Sequence, residues 1–200
     1  MTVTVRRAGD PDRKMLAHML ARAFVSDPVA AYVFPDDQSR QRRLVAVYRL
    51  YLRVFSESGV VHTSGDRNAA ALWLPPGRYP LSLAEHLRLL PGTTMATGLA
   101  ALPVALYVLN HLAQMHPAGQ RFWYLGVLGV EPSAQRSGLG SALLKTGLRM
   151  CDEQGLGAYL ETAESANVPF YSAHGFDVQT VSGLRNGPRV CGMWRPPRKL

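Results

Sequence analysis

Seven residues, Gln135-Arg136-Ser137-Gly138-Leu139-Gly140-Ser141, stand between an apolar run that ends at Val130 and a helical repeat that opens Ser141-Ala142-Leu143-Leu144-Lys145. A glycine turn placed directly between strand and helix makes this part of the chain α/β. It also points the unpaired N–H groups of the helix's first turn outward, where the helix dipole favours negative charge. Spacing alone leaves two readings open, a phosphate cradle or an ordinary strand-to-helix turn that needs glycine for its geometry. Two familiar phosphate loops fit poorly. A Walker loop ends in Gly-Lys-Ser/Thr, whereas Gly140 is followed by Ser141-Ala142. A dinucleotide fingerprint wants a small residue where Leu143 stands and a strand ending just before the first glycine. Only Glu161, about 20 residues past the glycines where a ribose-binding acid would sit, speaks for it.

Around this turn the pattern is regular. Phe122 to Val130 reads as a long strand, Gly138 to about Gln154 as a helix, Ala158 to Glu161 as a short strand and Asn167 to His174 as a short helix, followed by strands over Phe176–Val181 and Arg189–Trp194. Upstream, Val3 to Arg7 alternates as a first strand. Asp10-Pro11 then opens a helix to about Phe24, Val29 to Phe34 forms a short helix, and a longer one runs from about Ser39 to Ser58 and closes at Gly59. Val60–Thr63 and Ala69–Leu74, joined by Gly65-Asp66-Arg67-Asn68, predict an antiparallel pair. Leu81–Leu90 and Leu99–Gln114 predict helices, with Pro91-Gly92 and Pro103 as breaks.

A length of 200 residues, 47% of them hydrophobic and 18% charged, excludes a disordered chain; with no repeat or linker it predicts one domain spanning 1–200. The N-terminus reaches Arg6-Arg7 before an apolar segment develops, so neither a signal peptide nor a membrane anchor is expected. Met95 to Leu109, the most apolar stretch, is shorter than the ~18 residues of a spanning helix and predicts a buried one. Cys151 and Cys191 lack metal spacing and are expected to be free thiols in a reducing cytoplasm. The net charge of +8 admits nucleic acid, a membrane surface or an anionic cofactor. Arg40, Arg42, Arg43, Arg49 and Arg53 interleave with apolar residues at helical spacing, the solvated face of an amphipathic helix rather than a nucleic-acid stripe. The basic run from Arg195 to Lys199 is assigned no function.

Gln135-Arg136-Ser137-Gly138-Leu139-Gly140 resembles the acyl-CoA signature Gln/Arg-x-x-Gly-x-Gly/Ala of the GCN5-related N-acetyltransferases (GNAT), and Asn167-Val168-Pro169-Phe170-Tyr171 with Gly175-Phe176 is similar to a second family motif. The resemblance is dense from Phe122 to Val178. It implies a mixed, mostly antiparallel sheet flanked by helices, with a helical insertion before the cofactor strand. The acceptor-side half would span about 1–117 and the acetyl-CoA half about 118–200. Two positions depart from the pattern: Arg136 replaces a frequent glycine and Ser172 a frequent glutamate. Within the family, Trp123-Tyr124-Leu125, Leu160-Glu161-Thr162 and Gly187-Pro188-Arg189 look like landmarks of the puromycin N-acetyltransferase subgroup. That likeness implies a small amine acceptor, such as an aminonucleoside or another amine antibiotic, in a cytoplasmic enzyme.

The resemblance also implies roles. Acetyl-CoA would lie with its pyrophosphate on Gln135, Arg136, Ser137, Gly138, Leu139, Gly140 and Ser141, and its pantetheine against the backbone of Leu128 and Val130 and against Asn167. Tyr171 would be the general acid for the thiolate, because a phenol of ordinary pKa ~10 can donate to a departing sulfur. Glu161 is ranked first as the base that takes the amine proton, ahead of Glu131, and an ion-pairing or acceptor-binding role for it stays open. Asp27 and Tyr32 are expected to line the acceptor site. His116 and His174 precede turns and are read as structural, and no histidine has metal spacing. No metal, no membrane and no nucleic-acid partner is expected. A protein N-terminal or lysine acetyltransferase, and a CoA-binding module that contacts nucleic acid, are the alternatives.

Overall fold

The computed structural model describes residues 3–79 and 83–198, with the side chains of 83–88 excepted. Among the described residues, seven strands form one sheet in the order β1-β2-β3-β4-β5-β7-β6. They are β1 (Val5–Arg7), β2 (Val60–Ser64), β3 (Ala69–Leu74), β4 (Phe122–Val130), β5 (Gly157–Thr162), β6 (Asp177–Gly183) and β7 (Arg189–Arg195). Neighbours are antiparallel apart from β4 and β5, which run parallel because a helix crosses between them. This is the mixed α/β architecture expected from the sequence.

Alternation divides the sheet residues between two cores. Leu72, Leu74, Phe122, Tyr124 and Tyr159 pack with α1 (Arg13–Ala23) and α3 (Asp37–Ser58). Ala71, Trp73, Trp123, Leu125, Ala158 and Leu160 pack with α6 (Leu139–Glu153), and Tyr171 of α7 (Val168–Ser172) joins them. The parity of β4 changes at a bulge. Leu72 pairs with Val127 and Trp73 with Leu125, which leaves Gly126 as the extra residue. A Cβ at Gly126 would stand 2.5 Å from the Phe55 ring, and one at Gly129 would stand 2.5 Å from Leu20. These glycines let α3 and α1 lie directly on the strand.

The helical insertion is α4 (Leu83–Thr97) and α5 (Leu102–Met115), preceded along the chain by the short α2 (Pro28–Val33). The expected helix start at Leu81 lies outside the described residues. Two expected breaks are corrected. Pro91 sits inside α4, which continues to Thr97, where Gly98 at φ +77° ends it. The Thr93 and Thr94 hydroxyls donate to the Leu89 and Leu90 carbonyls at 3.0 and 2.8 Å and hold the turn that follows the proline. Pro103 starts α5 rather than breaking a helix from Leu99, as a residue without an N–H can do in a first turn.

Arg40 is corrected too. Its guanidinium is buried and donates to the carbonyls of Phe34 (2.7 Å) and Pro35 (3.0 Å), tying α3 to the end of α2. Arg42, Arg49 and Arg53 are exposed as expected, whereas Arg43 is half-buried with its guanidinium against Gly98. Both cysteines are free. Among the described residues no helix is long and apolar enough to cross a membrane, and no cluster could hold a metal ion.

Candidate active site

The glycine turn forms as a cradle. From Val130 the chain passes through a single 3-10 turn, Pro132–Ala134, and Gly138 caps α6 at φ +88°. Arg136, at the position where glycine is frequent, still adopts φ +62°, a left-handed conformation that costs a non-glycine residue ~1–2 kcal/mol. The Ser137 hydroxyl donates to the Ala134 carbonyl at 2.6 Å and fixes the bend. Gly138 provides no side chain to cap the first-turn N–H groups of Leu139, Gly140 and Ser141, and a Cβ there would meet nothing within 4 Å. Free donors, a helix N-terminus and open space above them suit a pyrophosphate.

This cradle is one end of a cleft of about 760 Å3. Its other walls come from Phe24 and Asp27, from β4 at Leu128–Val130, and from Asn167, Phe170 and Tyr171. The cleft exists because β4 and β5 part. Their register runs from Phe122 opposite Gly157 to Leu125 opposite Leu160 and stops there. From Gly126 to Val130, the side of β4 that faces β5 keeps its backbone donors and acceptors unpaired in the sheet, an edge on which an extended amide chain can dock. Asn167 precedes α7, makes no side-chain cap bond and is exposed on the cleft wall.

Tyr171 lies on the α6 face of the opening. Its ring packs on Phe170 and Phe176 at centroid distances of 5.2 and 6.0 Å. Burial, with a smaller contribution from the Asp27 charge, pushes the phenol above its ordinary range and keeps its proton in place at working pH. Cys151 cannot compete as a nucleophile: burial pushes its thiol up to about 12, and it donates to the Gly147 carbonyl inside α6.

Glu161 lies on the opposite face, one residue beyond the last β4–β5 pair. Its Oε1 is 2.9 Å from Nε2 of His116, and both side chains are about 95% buried. His116, read from the sequence as a turn residue, is thus the partner of the candidate base. The imidazole is stacked among Tyr79, Tyr124 and Tyr159 at centroid distances of 4.6, 4.7 and 4.9 Å. Tyr79 and Tyr124 separate the pair from an apolar chamber of about 410 Å3 that Tyr51, Phe55, Leu90, Leu106 and Leu109 also line. A smaller hollow of about 170 Å3 shares Tyr51, Thr93 and Leu109 with this chamber and Asp27 with the cleft beside the cradle, so it adjoins both.

The remaining candidates fall as follows. Asp27 caps α2, accepting from the N–H groups of Val29 (2.9 Å) and Ala30 (3.0 Å), while also lining the cleft; burial raises its pKa. Tyr32 donates its hydroxyl to the Arg185 carbonyl at 2.8 Å and fastens α2 to the β6–β7 hairpin, away from the cleft. Glu131 is held by the Arg22 guanidinium through bonds of 2.7–3.0 Å, and that engagement separates it from Glu161.

Residues 103–176 match the model of the Acetyltransferase (GNAT) family. An uncharacterized N-acetyltransferase of Schizosaccharomyces pombe is 25% identical over 186 residues, which cover 88% of this chain and 75% of that protein. A Corynebacterium glutamicum structure described as histone acetyltransferase HPA2 and related acetyltransferase superposes with a TM-score of 0.77 at 24% identity, covering 100% of this chain and 99% of that one. The arylalkylamine N-acetyltransferase 2 of Aedes aegypti superposes with a TM-score of 0.63 at 11% identity, over 99% of this chain and 100% of that one. With the family model matched across the cradle and the likeness of fold extending over the chain, the protein has the GNAT-type acetyltransferase fold.

Proposed function

We propose that this enzyme acetylates the primary amine of a small molecule by direct attack on acetyl-CoA within a ternary complex. The observation that carries it is the apolar chamber roofed by α4 and α5, which opens beside the parting of β4 and β5. In this reading the backbone donors of the 135–141 turn hold the pyrophosphate, and the free edge of β4 at Leu128 and Val130, with Asn167, orients the pantetheine arm. Glu161 takes the proton of the amine, the neutral nitrogen attacks the thioester carbonyl, and Tyr171 donates to the departing sulfur.

The chamber favours an acceptor with an apolar body. Aminonucleosides and other amine antibiotics with aromatic groups belong to this class, and a resistance role in the cytoplasm is part of the proposal. The puromycin N-acetyltransferase likeness rests on the sequence landmarks. A peptide acceptor needs an open groove; the roof over the chamber speaks against it, and the inward turn of Arg40 weakens the nucleic-acid alternative.

The test is thiol release with a panel of alkylamines, arylalkylamines, aminonucleosides, aminoglycosides, polyamines and lysine peptides. Along an alkylamine series, kcat/KM is expected to rise about fourfold per methylene, since burying one CH2 contributes ~0.8 kcal/mol. Preference for lysine peptides over every small amine would overturn the proposal. The cradle has its own test: Gly138→Val, which adds bulk where no protein atom stands, is expected to raise the acetyl-CoA Kd about 10-fold or more, a loss of ~1.4 kcal/mol. Calorimetry on the folded variant reads it, and an unchanged Kd would move the pyrophosphate elsewhere.

A further inference from the structure

We propose that Asp27 holds the ammonium head of the acceptor, and that the site thereby selects amines carrying one positive charge on an apolar body. This rests on the small-amine reading above and narrows it to a class of substrate. Asp27 lines the cleft beside the cradle, as Tyr171 does, and it also lines the hollow of about 170 Å3 that adjoins the apolar chamber. A nitrogen held there stands between the space for the acceptor body and the cleft in which the thioester would lie.

The carboxylate has no cation of its own. Both bonds that cap α2, from the N–H groups of Val29 and Ala30, end on Oδ1, and Oδ2 has no partner among the described residues. Asp12, Glu131 and Asp152 are each held by an arginine, whereas no ion pair among the described residues includes Asp27. The one cation that lines the cleft is Arg136, on the cradle, and the anions are Asp27 and Glu164. Tyr48 from α3, Tyr171 from α7 and Glu164, just after β5, are the titratable groups that sense Asp27 or are sensed by it. Burial raises both phenols, which stay neutral. Burial first, and the Glu164 charge as a smaller cause, raises the pKa of Asp27. A carboxylate in that position gains most from a cation that arrives with the ligand, because the cation favours its charged form.

The hollow sets the rest of the specificity. Asp27 is the one charged residue that lines it, and no charged residue among those described lines the chamber. Phe24 on the cleft side and Tyr48 on the hollow side, with ring centroids 5.5 Å apart, give the ammonium aromatic neighbours. An apolar body can continue into the hollow and the chamber. A second ammonium would be buried there without a carboxylate to meet it, so polyamines and aminoglycosides are poor acceptors. Asp27 takes no proton in this scheme. The nitrogen arrives as a cation and becomes positive again as its lone pair bonds to the thioester carbonyl carbon, so the carboxylate favours both states and its loss is read in KM rather than kcat.

The test is Asp27→Asn, which keeps an oxygen to cap α2 and removes the charge. At neutral pH the KM for octylamine, and its calorimetric Kd for the enzyme–CoA complex, are expected to rise about 10- to 100-fold. The kcat, the acetyl-CoA Kd and the KM for aniline, a free base at that pH, are expected to stay within about threefold. With wild type, the diamine that has an amino group at each end of the same eight-carbon chain is expected to be at least about 10-fold poorer than octylamine in kcat/KM. Unchanged octylamine KM and Kd, an equal loss for aniline, a fall in kcat alone, or a diamine as good as octylamine overturns the anchor while the amine acetyltransferase reading stands. A wild type that turns over no small amine overturns that reading and this proposal together. If Asp27→Asn does not fold, competition in wild type decides: octanol, the uncharged analogue, is expected to bind at least about 10-fold more weakly than octylamine. Equal affinity overturns the charge requirement.

Discussion

Replacing Tyr171 with phenylalanine is expected to lower kcat by about 10²- to 10⁴-fold, the range of general acid catalysis, and to leave the acetyl-CoA Kd within a few-fold. The ring is what holds α7 in place. It is 7% exposed and packs on Phe170 and Phe176, a ring contact that phenylalanine retains. The hydroxyl has the other task. A thiolate with an ordinary pKa of ~8.5 leaves better when it is protonated as it departs, so a fixed donor near the sulfur would stabilise the transition state more than the ground state. Burial keeps the phenol protonated across the working range, so its availability as a donor should not limit activity at either end of the pH profile. Saturating thiol-release kinetics and calorimetry measure the two quantities separately. A kcat within a few-fold of wild type would leave Tyr171 with packing alone; a raised Kd with unchanged kcat would make it a pantetheine contact.

The part of the molecule from Phe122 onward was legible because its signals are local. A strand of nine residues, a turn with glycine where φ must be positive and a strongly patterned helix follow one another without interruption, and the structure differs from that pattern by a residue or two at the ends. The helical insertion was less so. Proline disfavours a helix interior by ~3 kcal/mol, yet α4 runs through Pro91 because the threonine hydroxyls and the packing of the insert outweigh that cost. Arg40 shows a related failure. Helical spacing gives the face of a residue only when that face is uniformly wet, and here the end of α2 presents unpaired carbonyls that draw one arginine inward.

His116 was illegible for a different reason. It lies against Glu161, which reaches it only when β5 enters the sheet beside β4, and no periodicity encodes a contact between distant segments. The parting of β4 and β5 is equally a tertiary fact. The bulge is at Gly126, but the point where pairing stops is set by the register with Gly157–Leu160. A carboxylate followed by a break in strand pairing is the one signal that could have pointed to the region.

Glu161→Gln is expected to be the second large effect, and its shape with pH carries more information than its size. An alkylamine is mostly ammonium at neutral pH and cannot attack until a proton leaves. With the carboxylate gone, kcat/KM for such an amine should fall about 10²- to 10³-fold near pH 7, within the range of general base catalysis. Raising the pH supplies free base from solution, so the wild-type and variant profiles should converge as the amine pKa of ~10 is passed. The amide is nearly isosteric, so the tyrosine cage should survive, and a thermal melt close to that of wild type checks this. Two other shapes are informative. A parallel drop at every pH would mean that Glu161 positions the acceptor by its charge, and a rise in KM without loss of kcat would place it in substrate binding. Convergence at high pH requires that the missing function be removal of a proton, because nothing else in the reaction is supplied by hydroxide in solution.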